Sequence, residues 1–226
     1  MHKLLLHSVK QDCSGTSIPF AIQSAIYVLV QQQIKDVIPV GKEIILMRHG
    51  QPNLAGLDKV SALGMKRWIE QYDLSEIANQ PAPAASLELA VTAEIIVSSS
   101  APRALTSVRA LGLQPTIVDE IFCEAQLPYG QWALPRLSPF TWAFILRILW
   151  LCGFSGNVES AGKARVRAIE AAQRLQSLSC EGSVLLLGHG FMNRMIAKQL
   201  EAAGWTRHTS TGNRYWSAAT YRTSHS

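Results

Sequence analysis

Two short apolar runs, each ending in a histidine beside glycine, constrain this chain more than any other feature. Ile44-Ile45-Leu46-Met47 leads into Arg48-His49-Gly50. Ser183-Val184-Leu185-Leu186-Leu187 leads into Gly188-His189-Gly190. Unbroken apolar runs of this length suit strands buried on both faces of a sheet. Gly50 and Pro52 signal a turn after the first run. After the second, Phe191, Met192, Met195, Ile196 and Leu200 fall on one side of a helix that Gly204 would stop. Between the two, Ile95-Ile96-Val97 leads into Ser98-Ser99-Ser100-Ala101-Pro102-Arg103-Ala104, which reads as a third strand, a serine-rich loop and a helix with Pro102 in its first turn. In open α/β sheets, ligands bind beyond the carboxyl ends of the strands. The pattern therefore predicts an α/β domain with two histidines at one sheet edge. Arg48 is a fixed cation whose fork suits phosphate. His49 has the chemistry of a nucleophile or base near neutral pH. Gly50 lets backbone approach a ligand closely.

Taken together, these residues resemble the histidine phosphatase superfamily, the phosphoglycerate-mutase-like proteins. The resemblance rests on Arg48-His49-Gly50 after the first strand, Ser99-x-x-x-Arg103-Ala104 after a middle strand, and the late Gly188-His189-Gly190. Ser61-Ala62-Leu63-Gly64 stands where the family often has Leu-Thr-x-x-Gly. Glu124 stands where the family carries an acidic residue before a glycine-containing loop, and Glu159-Ser160 matches a Glu-Ser before a long helix. The likeness covers about residues 43–221. It implies a three-layer α/β/α sandwich with a mostly parallel central sheet and a helical, aromatic cap insertion. The division expected is an N-terminal extension over 1–41 and a catalytic domain over 42–226, with the cap at about 125–158. Gln51-Pro52-Asn53 departs from the Glu-Thr that commonly follows Arg-His-Gly.

Outside the resemblance, Ile18, Ala21, Ile22, Ala25, Ile26 and Leu29 predict a helix in the extension. Packing on the domain is favoured over a membrane surface, because its polar positions lack the Lys and Arg a surface helix uses. A chain that is poorly ordered there stays open. Further along, Ser61 is expected to cap a helix to about Tyr72. A helix is expected from Pro102 to Leu111, ended by Gly112 and with Arg109 facing solvent. A strand is expected from Thr116 to Phe122, a helix from Trp142 to Trp150, and a last strand from Arg214 to Arg222. The helix from Glu159-Ser160 to Leu178 is expected to face inward with Val166, Ile169, Leu175 and Leu178. Its Lys163, Arg165, Arg167 and Arg174 would form a solvated face. The cap holds Trp132, Trp142, Trp150, Tyr129, Phe140, Phe144 and Phe154. Packing on the domain is the first reading of these rings, and selection of an apolar or ring-bearing leaving group the second.

The resemblance implies hydrolysis of a phosphomonoester through a phosphohistidine. His49 would attack phosphorus with an unprotonated nitrogen, splitting one hard displacement into two. Arg48 and Arg103 would clamp the phosphoryl oxygens. His189 would donate to one of them, as a cation while the dianion is bound. Glu124 would protonate the leaving oxygen and then activate water. Glu120 and Asp119 compete for that role if the strand register slips. Asn53 is either a phosphate-oxygen donor or a turn former. No metal or other cofactor is expected, since two arginines and a histidine supply the charge and no cluster has ligand spacing. The alternatives are phosphoglycerate mutase-type transfer, against which the cap offers only Arg136 and Arg147, and a phosphate- or phosphoprotein-binding module without turnover.

Composition narrows the setting. An apolar fraction of 48% in 226 residues is ample for one core. The net charge of +5 is scattered without a Lys/Arg tract, which argues against nucleic acid and suits a small anionic ester. Cys13, Cys123, Cys152 and Cys180 are far apart, with no Cys-x-x-Cys, as expected in a reducing, cytoplasmic compartment. Neither Phe140–Phe154, interrupted by Arg147, nor Ile18–Val30 is long enough to span a bilayer. The first ten residues make no persuasive secretory signal.

Overall fold

The computed structural model describes residues 43–54, 58–156 and 158–223, all within one compact unit, Val40–Ser226. The helix expected over Ile18–Leu29 lies outside the described residues. Among those described, six strands form one sheet: β1 (Glu43–Arg48), β2 (Ile95–Ser98), β3 (Ile117–Val118), β4 (Val184–Gly188), β5 (Trp205–Ser210) and β6 (Ala218–Thr223), in the order β3-β2-β4-β1-β6-β5. The helices are α1 (Met65–Leu74), α2 (Ala84–Ala90), α3 (Pro102–Ala110), α4 (Pro139–Leu151), α5 (Ala161–Leu178) and α6 (Gly190–Ala202), with a 3-10 turn at Glu120–Phe122. The four strands β3, β2, β4 and β1 run parallel; β6 and β5 add antiparallel at one edge.

Burial on both faces explains the apolar runs. Ile44, Leu46, Val184 and Leu186 point to one side, where they join Ala168, Ala171, Leu175, Met192, Ile196 and Leu200 of α5 and α6. Ile45, Met47, Leu185 and Leu187, next in each strand, are equally buried and point to the other side, as side-chain alternation requires. There α3 packs on β2 and β4 through Ala104 and Val108. The result is a three-layer sandwich around a mostly parallel sheet. A second cluster, Ala62, Met65, Trp68, Trp142 and Leu146, joins α1 to the cap helix α4. Outward, α4 exposes Phe140, Phe144, Ile148 and Leu151. Among the described residues, no helix is long and apolar enough to cross a membrane.

Several expectations need correction. Ser61 does not cap α1. Its Oγ accepts from Gly64 N at 3.1 Å in a preceding turn, and the helix starts at Met65. The strand expected over Thr116–Phe122 is two residues long, because Asp119 Oδ1 accepts from Ile121 N at 2.9 Å and starts the 3-10 turn. The final strand starts at Ala218 instead of Arg214, since Trp216 has a left-handed φ of 64°. Strand β5 follows Gly204 without a strand signal in the sequence: its residues after Trp205 are exposed and carry no apolar alternation.

The inner face of α5 also differs. Ala164, Ala168, Ala171, Ala172 and Leu175 are buried, while Val166 is 56% exposed and Ile169 36%. The long side chains of Met192, Ile196 and Leu200 on α6 fill the space between helix and sheet, so small residues are what α5 can bring to it. Ala171→Leu should therefore overpack this layer and cost about 1–3 kcal/mol. Val166→Ala should cost less than about 1 kcal/mol. Urea unfolding of the two variants checks this; the reverse order would refute the assigned face.

Candidate active site

Strand register brings the two histidines together. In the parallel pair β1–β4, Arg48 lies opposite Gly188, so the next residues, His49 and His189, leave the sheet side by side. His49 N donates to Gly188 O at 3.0 Å. The imidazole centroids are 5.1 Å apart with an interplanar angle of 60°. One strand further, Ser98 pairs with Leu187, which sets Ser99 beside Gly188. Ser99 Oγ and His189 Nε2 share a hydrogen bond of 2.7 Å. The serine loop then enters α3, whose first turn carries Arg103.

Both imidazoles are buried, His49 at 1% exposure and His189 at 0%. Burial, then Arg103 and Arg48, lowers the His49 pKa to about 3, against the opposing pull of the Gly50 carbonyl. The ring is thus neutral at ordinary pH. Its Nδ1 lies 2.7 Å from Gly50 O. A carbonyl only accepts, so Nδ1 carries the proton and Nε2 keeps its lone pair. His189 is held well below the usual histidine range by burial, Arg103, His49 and Arg48, in that order.

The guanidiniums are partly committed. Arg103, 2% exposed, donates Nη1 to Tyr72 O at 3.0 Å and to Asp73 O at 3.3 Å, and Nη2 to Asp73 Oδ1 at 3.3 Å. Its Cζ lies 4.5 Å from the Tyr72 ring centroid. Arg48 donates Nη1 to Asn213 O at 2.9 Å and lies 4.3 Å from the Tyr215 centroid. Among the described residues, five buried side-chain atoms have no hydrogen-bond partner: Trp68 Nε1, Asn193 Oδ1 and, beside the two imidazoles, Arg48 Nε, Arg103 Nε and His189 Nδ1. The guanidinium nitrogens are N–H donors, and His189 Nδ1 becomes one in the tautomer that accepts from Ser99. Buried donors without acceptors are rare in folded proteins, and these last three belong to the residues expected to hold an oxyanion.

Glu124 stands at the start of α6. Its Oε1 accepts from Ala125 N at 3.0 Å and Met192 N at 2.7 Å, and its Oε2 from Phe191 N at 3.0 Å. The competing acids are occupied elsewhere: Asp119 caps the 3-10 turn and pairs with Arg174 at 2.6 Å, and Glu120 is exposed. Asn53 is exposed, and what it contributes is a backbone N–H to Glu76 O at 2.8 Å. Arg109 faces solvent as expected, 3.8 Å from Glu76. Of the cap aromatics, Trp142 and Trp150 pack inward, with indole N–H groups donated to Val60 O at 2.9 Å and Glu159 O at 2.7 Å. Among the described residues, no group of three His, Cys, Asp or Glu is placed to hold a metal ion.

Several neighbours carried no sequence signal. Tyr72 and Tyr215 each back one arginine; nothing in their local sequence differs from core or strand tyrosines. Trp216 lays its indole so close to Gly50 that a Cβ there would lie 2.6 Å from the ring. The backbone N–H of Trp216 donates to His49 O at 3.3 Å. Arg167, expected on a solvated face, is 21% exposed and turned toward the Glu124 loop.

Two outcomes follow. Gly50→Ala should destabilise by about 1–3 kcal/mol through the indole clash. In combination with Trp216→Gly, which suits the left-handed φ, the two changes should couple by about 1 kcal/mol or more; additive losses would refute the contact. Below pH 6.5 the unfolded chain protonates His49, whereas the folded chain resists until about pH 3. Stability therefore falls with pH across that window, by about 1.4 kcal/mol per unit from this residue. Between pH 7 and pH 5 the wild type should lose about 2 kcal/mol more than His49→Gln in denaturant titrations; parallel losses would contradict a neutral buried imidazole.

Similar folds among solved structures include phosphoserine phosphatase from Entamoeba histolytica in complex with phosphoserine, at 18% identity and TM-score 0.50 over 71% of this chain and 80% of that one. They also include mycobacterial glucosyl-3-phosphoglycerate phosphatase, at 20% identity and TM-score 0.47 over 71% and 80%. A putative alpha-ribazole-5'-P phosphatase from Escherichia coli is similar at 16% identity and TM-score 0.45, over 69% and 78%. No curated protein matches the sequence significantly. The sequence pattern of the histidine phosphatase superfamily (branch 1) matches residues 44–225, the span that carries both histidines, both arginines and Glu124, and the chain belongs to that family.

Proposed function

We propose that this protein hydrolyses a small-molecule phosphomonoester through a phosphohistidine on His49. The observation that carries the reading is the set of unpartnered buried atoms on Arg48, Arg103 and His189 around a neutral imidazole. Buried cationic donors beside an imidazole with a free lone pair suit a compact polyanion. In the first step the Nε2–P bond forms as the P–O bond to the leaving group breaks, and Glu124 gives its proton to the departing oxygen. Of its two oxygens, Oε1 accepts two backbone N–H groups and Oε2 one. In the second step water attacks phosphorus, Glu124 takes its proton, and phosphate leaves with His49 restored.

The role of His189 depends on charge. Burial and the guanidiniums favour its neutral form. A phosphoryl dianion brings about two negative charges beside the same guanidiniums, which favours the cationic form while substrate is bound. The cysteine spacing supports a reducing, cytoplasmic setting. Glu124 is favoured over Glu120 and Asp119 because its carboxylate lies at the helix that begins directly after His189. Asn53 is the weakest member of the expected set, being exposed.

Turnover of a chromogenic aryl phosphate in EDTA is the test. Wild type should release phosphate, and His49→Ala should lose at least about a thousandfold while keeping its circular dichroism. Rapid quench with ³²P-labelled substrate should leave an acid-labile, alkali-stable label on the wild type and none on His49→Ala. No turnover across a metabolite panel, or a label that survives His49→Ala, would overturn the reading.

A further inference from the structure

The segment that carries Glu124 belongs to no strand or α-helix, yet its main chain is held almost carbonyl by carbonyl by two arginines. Arg167, from α5, donates Nη1 to Ile121 O at 3.0 Å and Cys123 O at 2.6 Å, and Nη2 to Glu124 O at 3.3 Å. Arg147, from the cap helix α4, donates Nη2 to Ala125 O at 2.6 Å and Nη1 to Gln126 O at 3.0 Å. Of the carbonyls from 121 to 126, only that of Phe122 has no arginine partner among these bonds. Each guanidinium is itself fixed. Arg167 is paired with the Glu159 carboxylate through Nη2, and through Nε at 3.2 Å. Glu159 also accepts from Gln126 N at 3.3 Å, and Gln126 Oε1 accepts from Glu159 N at 3.0 Å. The Arg147 guanidinium lies against two rings that touch each other edge to face, 4.8 Å from the Trp150 centroid and 4.6 Å from that of Phe191. Phe191 is the residue whose N–H meets Glu124 Oε2. The burial of Arg147, which weighs against its charge, is countered by Glu124 and Glu159.

We propose that Arg147 and Arg167 are positioning residues for the proton transfer made by Glu124, and that Arg147 ties that acid to the cap. The inference rests on the phosphatase reading above. A carboxylic acid must hold its proton within hydrogen-bond reach of the leaving oxygen, and a loop without ladder bonds cannot do so on its own. Five main-chain carbonyls drawn onto two planar forks supply the rigidity that strand or helix would supply elsewhere. Because the Arg147 guanidinium touches Trp150 of α4 and Phe191 of α6 together, a shift of the cap moves the donor that orients Oε2.

The test separates proton donation from general folding. Leaving groups that depart as stable anions do not need the acid; poor ones do. Arg147→Met should lower kcat/KM for phenyl phosphate about ten- to a hundredfold and leave 2,4-dinitrophenyl phosphate within about threefold. Glu124→Gln should show the same pattern. Arg147→Lys, which keeps charge and stem but loses the fork, should follow Arg147→Met. It also serves as the second variant if Arg147→Met folds poorly. Equal losses on both esters, or none on either, would overturn the clamp. Amide exchange reports independently of turnover: the Phe191 and Met192 N–H groups should exchange faster in the Arg147 variants, and unchanged protection would also overturn it. A wild type that hydrolyses neither ester would count against the phosphatase reading, while amide exchange would still decide the clamp.

Discussion

The parallel pairing of β1 with β4 is the constraint on which the site depends. With Arg48 opposite Gly188, the residues that follow have no choice but to emerge together at one sheet edge. A slip of one residue would send each apolar side chain to the opposite face and separate the imidazoles. Both faces are packed, so a slip would force side chains of different shape into the wrong layer: eight residues of these two strands, Ile44 to Met47 and Val184 to Leu187, are at most 4% exposed. Asn193 adds a bond across the pair, from its Nδ2 to Met47 O at 3.1 Å. A Cβ at Gly188 would stand 2.3 Å from Asn193 Oδ1, which explains the glycine before His189.

The same burial that fixes the register creates the electrostatic problem that function resolves. Two guanidiniums and two imidazoles share one buried region, and like charge beside like charge is unfavourable in a low dielectric. The protein relieves this in two ways. The imidazoles are kept neutral. The guanidiniums lean on carbonyls, on the faces of Tyr72 and Tyr215 and, for Arg103, on the Asp73 carboxylate. The Nε groups are left with no acceptor at all. An arrangement so costly on its own favours whatever anion neutralises it, and the proposed chemistry uses that preference in the transition state.

The cap has a double character. Its inward aromatics, Trp142 and Trp150, are core residues with satisfied indole N–H groups, which supports the packing reading of those rings. Phe140 and Phe144 face outward. The one charge on α4 interrupts an apolar helix for a reason visible only in three dimensions: it reaches the carbonyls beside Glu124.

The two histidine-bearing strands, the edge at which they end, and the helices opened by Pro102 and Ser160 can be read from the residues alone, as can the candidates Arg48, His49, Arg103, Glu124 and His189. These were legible because unbroken apolar runs, glycines and caps act over a few residues, and because the family's motifs occur in order. Tertiary structure alone decided the rest. Ala168 and Ala171 face inward while Val166 faces out, because α6 already fills the space. Arg167 and Arg147 turn inward because distant carbonyls need donors. Trp216 leaves the strand because its ring belongs on Gly50. Each outcome depends on a partner far along the chain, and no local spacing records which side chain will meet which.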